Sequence, residues 1–156
     1  MAIYKSLLYL ILEAGLFALY IPLTFFRTGP RIETALIISF LAIPLWLLGT
    51  FVVLRCFWDF TFKGRGTPAP TDPPKELVVI GFYRYVRNPI YIGVLSIFLG
   101  HFLWFGYLAL LIYTVVAFIG VHAFIVLYEE PTLKKKFGAA YGEYLKRVPR
   151  WIPRFK

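Results

Sequence analysis

Gly81-Phe-Tyr-Arg-Tyr-Val-Arg-Asn-Pro-Ile-Tyr-Ile-Gly93 sets two arginines and three tyrosines against the start of a long apolar run. From Asn88 to Tyr128 the chain has no Lys, Arg, Asp or Glu, and the run closes on Glu129-Glu130. A spanning helix takes about 20 mostly apolar residues, so this run is long enough for two. Trp104-Phe105-Gly106-Tyr107 lies near its middle, where aromatics suit the headgroup level and glycine suits a turn. The stretch reads as a membrane hairpin with spans at about 89–105 and 106–128, pinned between a basic aromatic lip and an acidic one.

Working outward, the composition agrees. Of the 156 residues, 60% are hydrophobic and 20% aromatic, with a mean hydropathy of +0.71; water-soluble domains hold about 45–50% apolar residues. Two more spans are expected at about 6–26, interrupted only by Glu13, and at the charge-free 34–54. Lys5 before an apolar stretch has the look of a secretory signal, but the run is long and lacks a small-residue cleavage site, so a retained helix is expected. The chain is therefore expected to be one all-α integral membrane domain over 1–156, with about four transmembrane helices.

Between spans two and three, a cytoplasmic loop is expected over 55–88. Asp59 to Leu77 contains Gly64-Arg-Gly-Thr-Pro-Ala-Pro and Thr71-Asp-Pro-Pro, which oppose regular helix. Leu77-Val-Val-Ile80 is a short apolar segment suited to the membrane surface. Beyond Glu130, Leu133, Phe137, Ala140, Tyr141, Tyr144 and Val148 recur at three- and four-residue spacings opposite Lys134, Lys135, Lys136, Glu143, Lys146 and Arg147. The region 129–156 is thus expected to be an amphipathic cytoplasmic helix, followed by a tail whose Arg150 and Trp151 serve as an interfacial anchor.

Of 17 Lys and Arg, fourteen lie in Arg55 to Arg87 and Lys134 to Lys156, against only Arg27 and Arg31 in the first short loop. Counted by the positive-inside tendency, this places both termini and the second loop in the cytoplasm. The net charge of +9 is explained by orientation and anionic headgroups rather than nucleic acid, since no groove-binding or stacking module accompanies it. The bilayer is the expected partner. Cys56, the single cysteine, excludes an internal disulfide and suits packing at the end of span two.

Charges at the lip of a bilayer point to function, because burying them costs several kcal/mol. Arg84 and Arg87 with Tyr83, Tyr85 and Tyr91 form one such group, with a snorkelling anchor as the bland alternative. Glu129-Glu130 forms another, poorly explained by topology because acids contribute little to orientation. Glu13, alone inside span one, suits a neutral side chain, a polar cavity or a helix–helix bond, and the structural role is favoured. His101 and His122 lack metal-ligand spacing and suit polar bonds between helices, so no metal site is expected. No nucleophilic triad, phosphate loop or dinucleotide fingerprint is present.

The run from Gly81 to Gly93, followed some forty residues later by Glu129-Glu-Pro-Thr-Leu-Lys-Lys-Lys-Phe-Gly-Ala-Ala-Tyr-Gly-Glu-Tyr144 and Val148-Pro-Arg-Trp-Ile-Pro153, resembles the isoprenylcysteine carboxyl methyltransferase and phospholipid methyltransferase superfamily. The resemblance covers about residues 55–153. It implies a membrane enzyme that takes S-adenosyl-L-methionine in a cytoplasmic pocket and moves its methyl, by in-line displacement, to a small lipophilic or amphipathic acceptor. By motif position, the cofactor contacts fall on Lys75, Glu76, Leu77, Val78, Tyr83, Arg87, Asn88, Pro89, Ile90, Tyr91, Glu129 and Glu130, with Glu129, Glu130 and Arg87 as candidates for the chemistry. Acids and tyrosine faces suit the cofactor's cations, and an arginine its carboxylate.

Two positions depart from that family. Asn88 stands where histidine is usual, and the position of a substrate-engaging arginine in the prenylcysteine enzymes falls near Ile125, which argues against a prenylcysteine carboxylate. A membrane NADPH-dependent sterol or enone reductase and a non-catalytic lipid-binding scaffold are the competing readings. The acceptor and the oligomeric state stay open.

Overall fold

In the computed structural model, residues 10–33, 36–62 and 76–154 are described, with side chains from Gly15 onward. The side chain of Glu13 and the whole of Lys75 lie outside the described residues. Helix α1 is a π-wound stretch Leu10–Tyr20 running into a short α-helical turn Ile21–Phe25. Helix α2 spans Leu36–Phe62, α3 Pro89–Phe105, α4 Leu108–Phe124 and α5 Glu130–Arg147. A 3-10 turn, Gly81–Arg84, precedes α3, and a π-turn, Ile125–Glu129, joins α4 to α5. The described residues contain no strand, only an isolated bridge between Arg31 and Tyr107.

Two helices, Leu36–Phe62 and the continuous Leu108–Arg147, are long and apolar enough to cross a membrane. Their outward residues include Ile37, Leu47, Leu48, Val116, Ile119 and Leu127, all exposed. So much contiguous apolar surface suits hydrocarbon rather than water. Local sequence sets their irregularities. Pro44 has no N–H for the carbonyl of Phe40, and α2 breaks its α-helical pattern at Leu41, whose N–H bonds to Ile38 O at 3.1 Å.

The tightest packing is between α2 and α3. A β-carbon on Gly93 would lie 2.8 Å from the carbonyl oxygen of Gly49, and one on Gly49 would lie 2.6 Å from that of Gly93. Two turns further along α3, Gly100 makes room for the Trp46 indole. The Trp46 N–H donates to His101 Nδ1 at 3.1 Å, so the ring's proton sits on Nε2, which reaches Ala18 O at 2.7 Å. That carbonyl lies four residues before Pro22, which has no N–H to give it. Three helices are joined through one imidazole.

The expected hairpin is present: α3 ends at Gly106, whose φ of 71° places it in the left-handed region, and the chain turns into α4. The first loop latches onto this turn through Ile32 N–H to Gly106 O at 2.8 Å and Leu108 N–H to Pro30 O at 3.1 Å. Arg27 and Arg31 sit over the rings of Phe105 and Tyr107 at 4.4 and 4.6 Å.

Two expectations need correction. The helix of span two does not stop at 54 but runs to Phe62, carrying Arg55 and Asp59 as an i,i+4 pair 3.4 Å apart, so the loop begins later than 55. Pro131 sits in the first turn of α5, and helix continues through it, because the preceding π-turn shifts the Glu130 N–H to Ile125 O and absorbs the missing donor. The helix is broken at Gly138, with φ 55° and ψ −126°. The break resets the face of α5, so Tyr141, Tyr144 and Val148 are buried while Ala140, expected on the same stripe, is exposed.

Candidate active site

The 3-10 turn, the start of α3, the end of α4 and both halves of α5 converge on one cavity of about 90 Å³. Leu77 and Val78 form one wall rather than a surface segment; Val78 is buried against Cys56 and Tyr83, while Val79 points outward. Tyr83 is buried and its carbonyl accepts a 2.8 Å bond from the Tyr144 hydroxyl. That bond ties α5 to the turn. Burial pushes the Tyr83 and Tyr144 hydroxyls well above the ordinary phenol range, and the Tyr141 hydroxyl to about 12, so all three stay protonated and neutral.

The two glutamates have different surroundings. Glu130 accepts from Arg87 Nη1 at 2.7 Å, and from Arg150 Nε and Nη2 at 2.9 Å each. Such charge-assisted bonds, two of them in parallel from Arg150, are the strong kind. Arg150 is raised above the usual guanidinium range by its bond to Glu130. Glu129 instead accepts 3.0 Å from the neutral Tyr91 hydroxyl. Burial raises the Glu129 carboxyl above the ordinary carboxylate range; the Tyr91 bond opposes this and the charge of Glu130 adds to it.

Of the twelve positions expected at the cofactor, Leu77, Val78, Tyr83, Arg87, Asn88, Tyr91, Glu129 and Glu130 line this cavity. Glu76 is exposed and outside the lining. Pro89 is buried in the first turn of α3, and Ile90 packs against the Cys56, Val78 and Tyr83 cluster. The basic lip divides: Arg87 turns inward, while Arg84 is exposed. Among the described residues that line the cavity Arg87 is the one cation, and its Nε is buried without a hydrogen-bond partner.

Asn88 leaves its place before α3 uncapped and donates instead to Arg150 O at 3.2 Å. Motif position did not point to the remaining lining, which includes Phe60, Phe124, Tyr128, Thr132, Phe137 and Tyr141. The apolar stripe on α5 was the available signal for the last two. Ile125, the family position noted above, is buried in the wall. Arg150, expected as an anchor at the membrane surface, turns back to Glu130, and Trp151 donates to His122 Nδ1 at 3.1 Å.

A second cavity of about 480 Å³ lies between α1, α2 and α3. It is larger but almost wholly apolar, and its Trp46 and His101 are already bonded to one another and to Ala18. The charges converge in the smaller cavity.

An all-helical protein with lipid-suited outer faces and a charged cavity near the helix ends is a membrane protein with an enzyme-like site. A family model described as phospholipid methyltransferase (PEMT) matches residues 37–140, from α2 into α5. The chain belongs to the phospholipid methyltransferase family, and is a methyltransferase-like membrane protein. No curated protein and no solved structure gives a significant match.

Proposed function

We propose that this chain is an S-adenosyl-L-methionine-dependent methyltransferase of four membrane spans. In this reading both termini and the cofactor cavity are cytoplasmic, and the acceptor is a small lipophilic or amphipathic molecule. The observation that carries it is the polar set of the smaller cavity: a half-buried carboxylate, Glu129, lines the same cavity as a guanidinium with an orphaned buried donor, Arg87. An unpaired buried donor is costly, so a ligand acceptor oxygen at Arg87 Nε relieves it. Tyr83, Tyr91 and Tyr128 add ring faces suited to a cation.

When bound, S-adenosylmethionine supplies an electrophilic methyl group on a sulfonium. In this reading Arg87 holds its carboxylate, Glu129 holds positive charge, and Leu77, Val78, Leu133 and Phe137 exclude water. Glu129, with its raised proton affinity, also accepts a proton from an acceptor that must shed one. Tyr128 lines the cavity yet is half exposed on the outer face of the helix, beside the fully outward Leu127. This supports sideways entry of the acceptor from the bilayer.

The enclosed volume, about 90 Å³, is small beside the 300–1,000 Å³ of typical ligand sites. Loading therefore requires the walls to part. Gly138, inside α5, is the natural hinge, because its backbone lies where other residues are strained.

Calorimetric titration of the detergent-purified protein with S-adenosylhomocysteine, beside NADPH and beside Glu129→Ala, tests this. Saturable adenosyl binding that the variant loses is the expected result. An intact, monodisperse protein that binds only NADPH, or neither, overturns it.

A further inference from the structure

The segment after α5 doubles back across the site. The Arg87 N–H donates to Pro149 O at 2.9 Å, Asn88 Nδ2 to Arg150 O at 3.2 Å, and the Arg154 N–H to Tyr85 O at 3.2 Å. The Trp151–His122 bond pins the same strap to α4. This brings the Arg150 guanidinium onto both oxygens of Glu130. The family match covers residues 37–140 and so ends before Arg150.

Glu130 thus receives three charge-assisted bonds from two guanidiniums, and its neighbour Glu129 one bond from a neutral hydroxyl. We propose that Arg150 is a positioning residue for the cofactor: by saturating Glu130 from the strap, it reserves Glu129 for a cationic group in the cavity and holds Arg87 against the wall. This rests on the adenosyl-cofactor reading above.

The electrostatics around Glu129 make the idea testable. Facing it are Tyr91 from α3, Tyr83 from the 3-10 turn, Glu130 beside it and Tyr141 from the second half of α5, with Arg87 close to Tyr141. The negative charge of Glu130 reaches Glu129 less strongly while two guanidiniums compensate it. Remove Arg150, and one remains. Glu129 then holds its proton more tightly, and a cation competes with that proton up to a higher pH.

The experiment is calorimetric titration with S-adenosylmethionine across a series from acid to neutral pH. Wild type is compared with Arg150→Gln, Arg150→Lys and Trp151→Phe, the last loosening the strap without removing charge. Wild-type affinity is expected to rise with pH to a plateau. In Arg150→Gln the midpoint moves up and neutral-pH affinity falls about tenfold or more, as expected for losing bonds between charged partners. Lysine restores the midpoint but only part of the affinity, since a point charge cannot make two parallel bonds. Trp151→Phe keeps the wild-type midpoint.

A wild-type midpoint and affinity in Arg150→Gln, with a loss of thermal stability matching Trp151→Phe, overturns the proposal and leaves a brace. If Arg150→Gln does not fold, full wild-type affinity in Arg150→Lys overturns the paired-bond geometry. Failure of folded wild type to bind at any pH overturns the cofactor reading itself, and is recognised in that arm alone.

Discussion

Replacing Glu130 with Gln removes the anion at the centre of the two-arginine cluster while keeping its shape. The side chains of Arg87, Glu130 and Arg150 are 13%, 17% and 29% exposed, so none is free to recover full hydration. Breaking a buried pair from one side costs about 3–5 kcal/mol, because the surviving charge is stranded. Arg150, the most exposed of the three, can turn partly to solvent, which brings the figure to about 3 kcal/mol. For a chain of this size that is a fall in Tm of roughly 6–12 °C. The assay is thermal unfolding in detergent followed by tryptophan fluorescence, with Glu143→Gln as the control. Glu143 pairs with Lys146 at 2.8 Å, but the two side chains are 56% and 73% exposed, so its loss is worth less than about 1 kcal/mol. If both variants melt within a degree or two of wild type, the Glu130 cluster stabilises no more than a surface pair and the reasoning fails.

Tyr91→Phe deletes the hydroxyl that opposes the upward shift of Glu129, and should weaken S-adenosylmethionine binding near neutral pH by about 1 kcal/mol, roughly fivefold. The sign follows from the raised carboxyl. The folded state holds that proton more tightly than the unfolded chain, so this contribution to stability is complete below the ordinary carboxylate range and is lost as pH rises through the raised value. Cation binding runs the other way, and pH-resolved calorimetry should find the Tyr91→Phe midpoint above that of wild type. Trp46→Phe strands the buried Nδ1 of His101 and should cost about 1–3 kcal/mol in thermal unfolding; adding His101→Leu should return part of it. Gly138→Ala meets no atom within 4 Å, so its cost is that of backbone strain alone, about 1–3 kcal/mol, visible as a lower Tm.

The hairpin and the acid–base poles of the site were legible because the physics behind them is local. A bilayer forbids charge over a run of fixed length, Gly106 marks the turn within it, and Arg87, Tyr91 and Glu129 stand at its ends. What escaped was set by partners distant in sequence. Arg55 and Asp59 looked like the start of a loop, yet four residues apart on a helix they offset one another, and Asp59 is wholly buried beside Gly81. Leu77 and Val78 read as a membrane-surface segment until α5 supplied the other side of their cavity. Arg150 carried every sign of an interfacial anchor. Only the strap's return to residues 85–88, more than sixty positions earlier, turns it inward.

The bond from His101 to Ala18 has an evolutionary corollary. Pro22 withholds the N–H that Ala18's carbonyl would receive in an α-helix, and an imidazole on another helix supplies one. Neither residue is easily lost alone: dropping the histidine leaves an acceptor unmet, and dropping the proline leaves two donors contending for it. Relatives are therefore expected to keep or discard the two together, although seventy-nine positions of chain separate them. A lineage that has shed Pro22 is the place to look for an apolar residue at position 101.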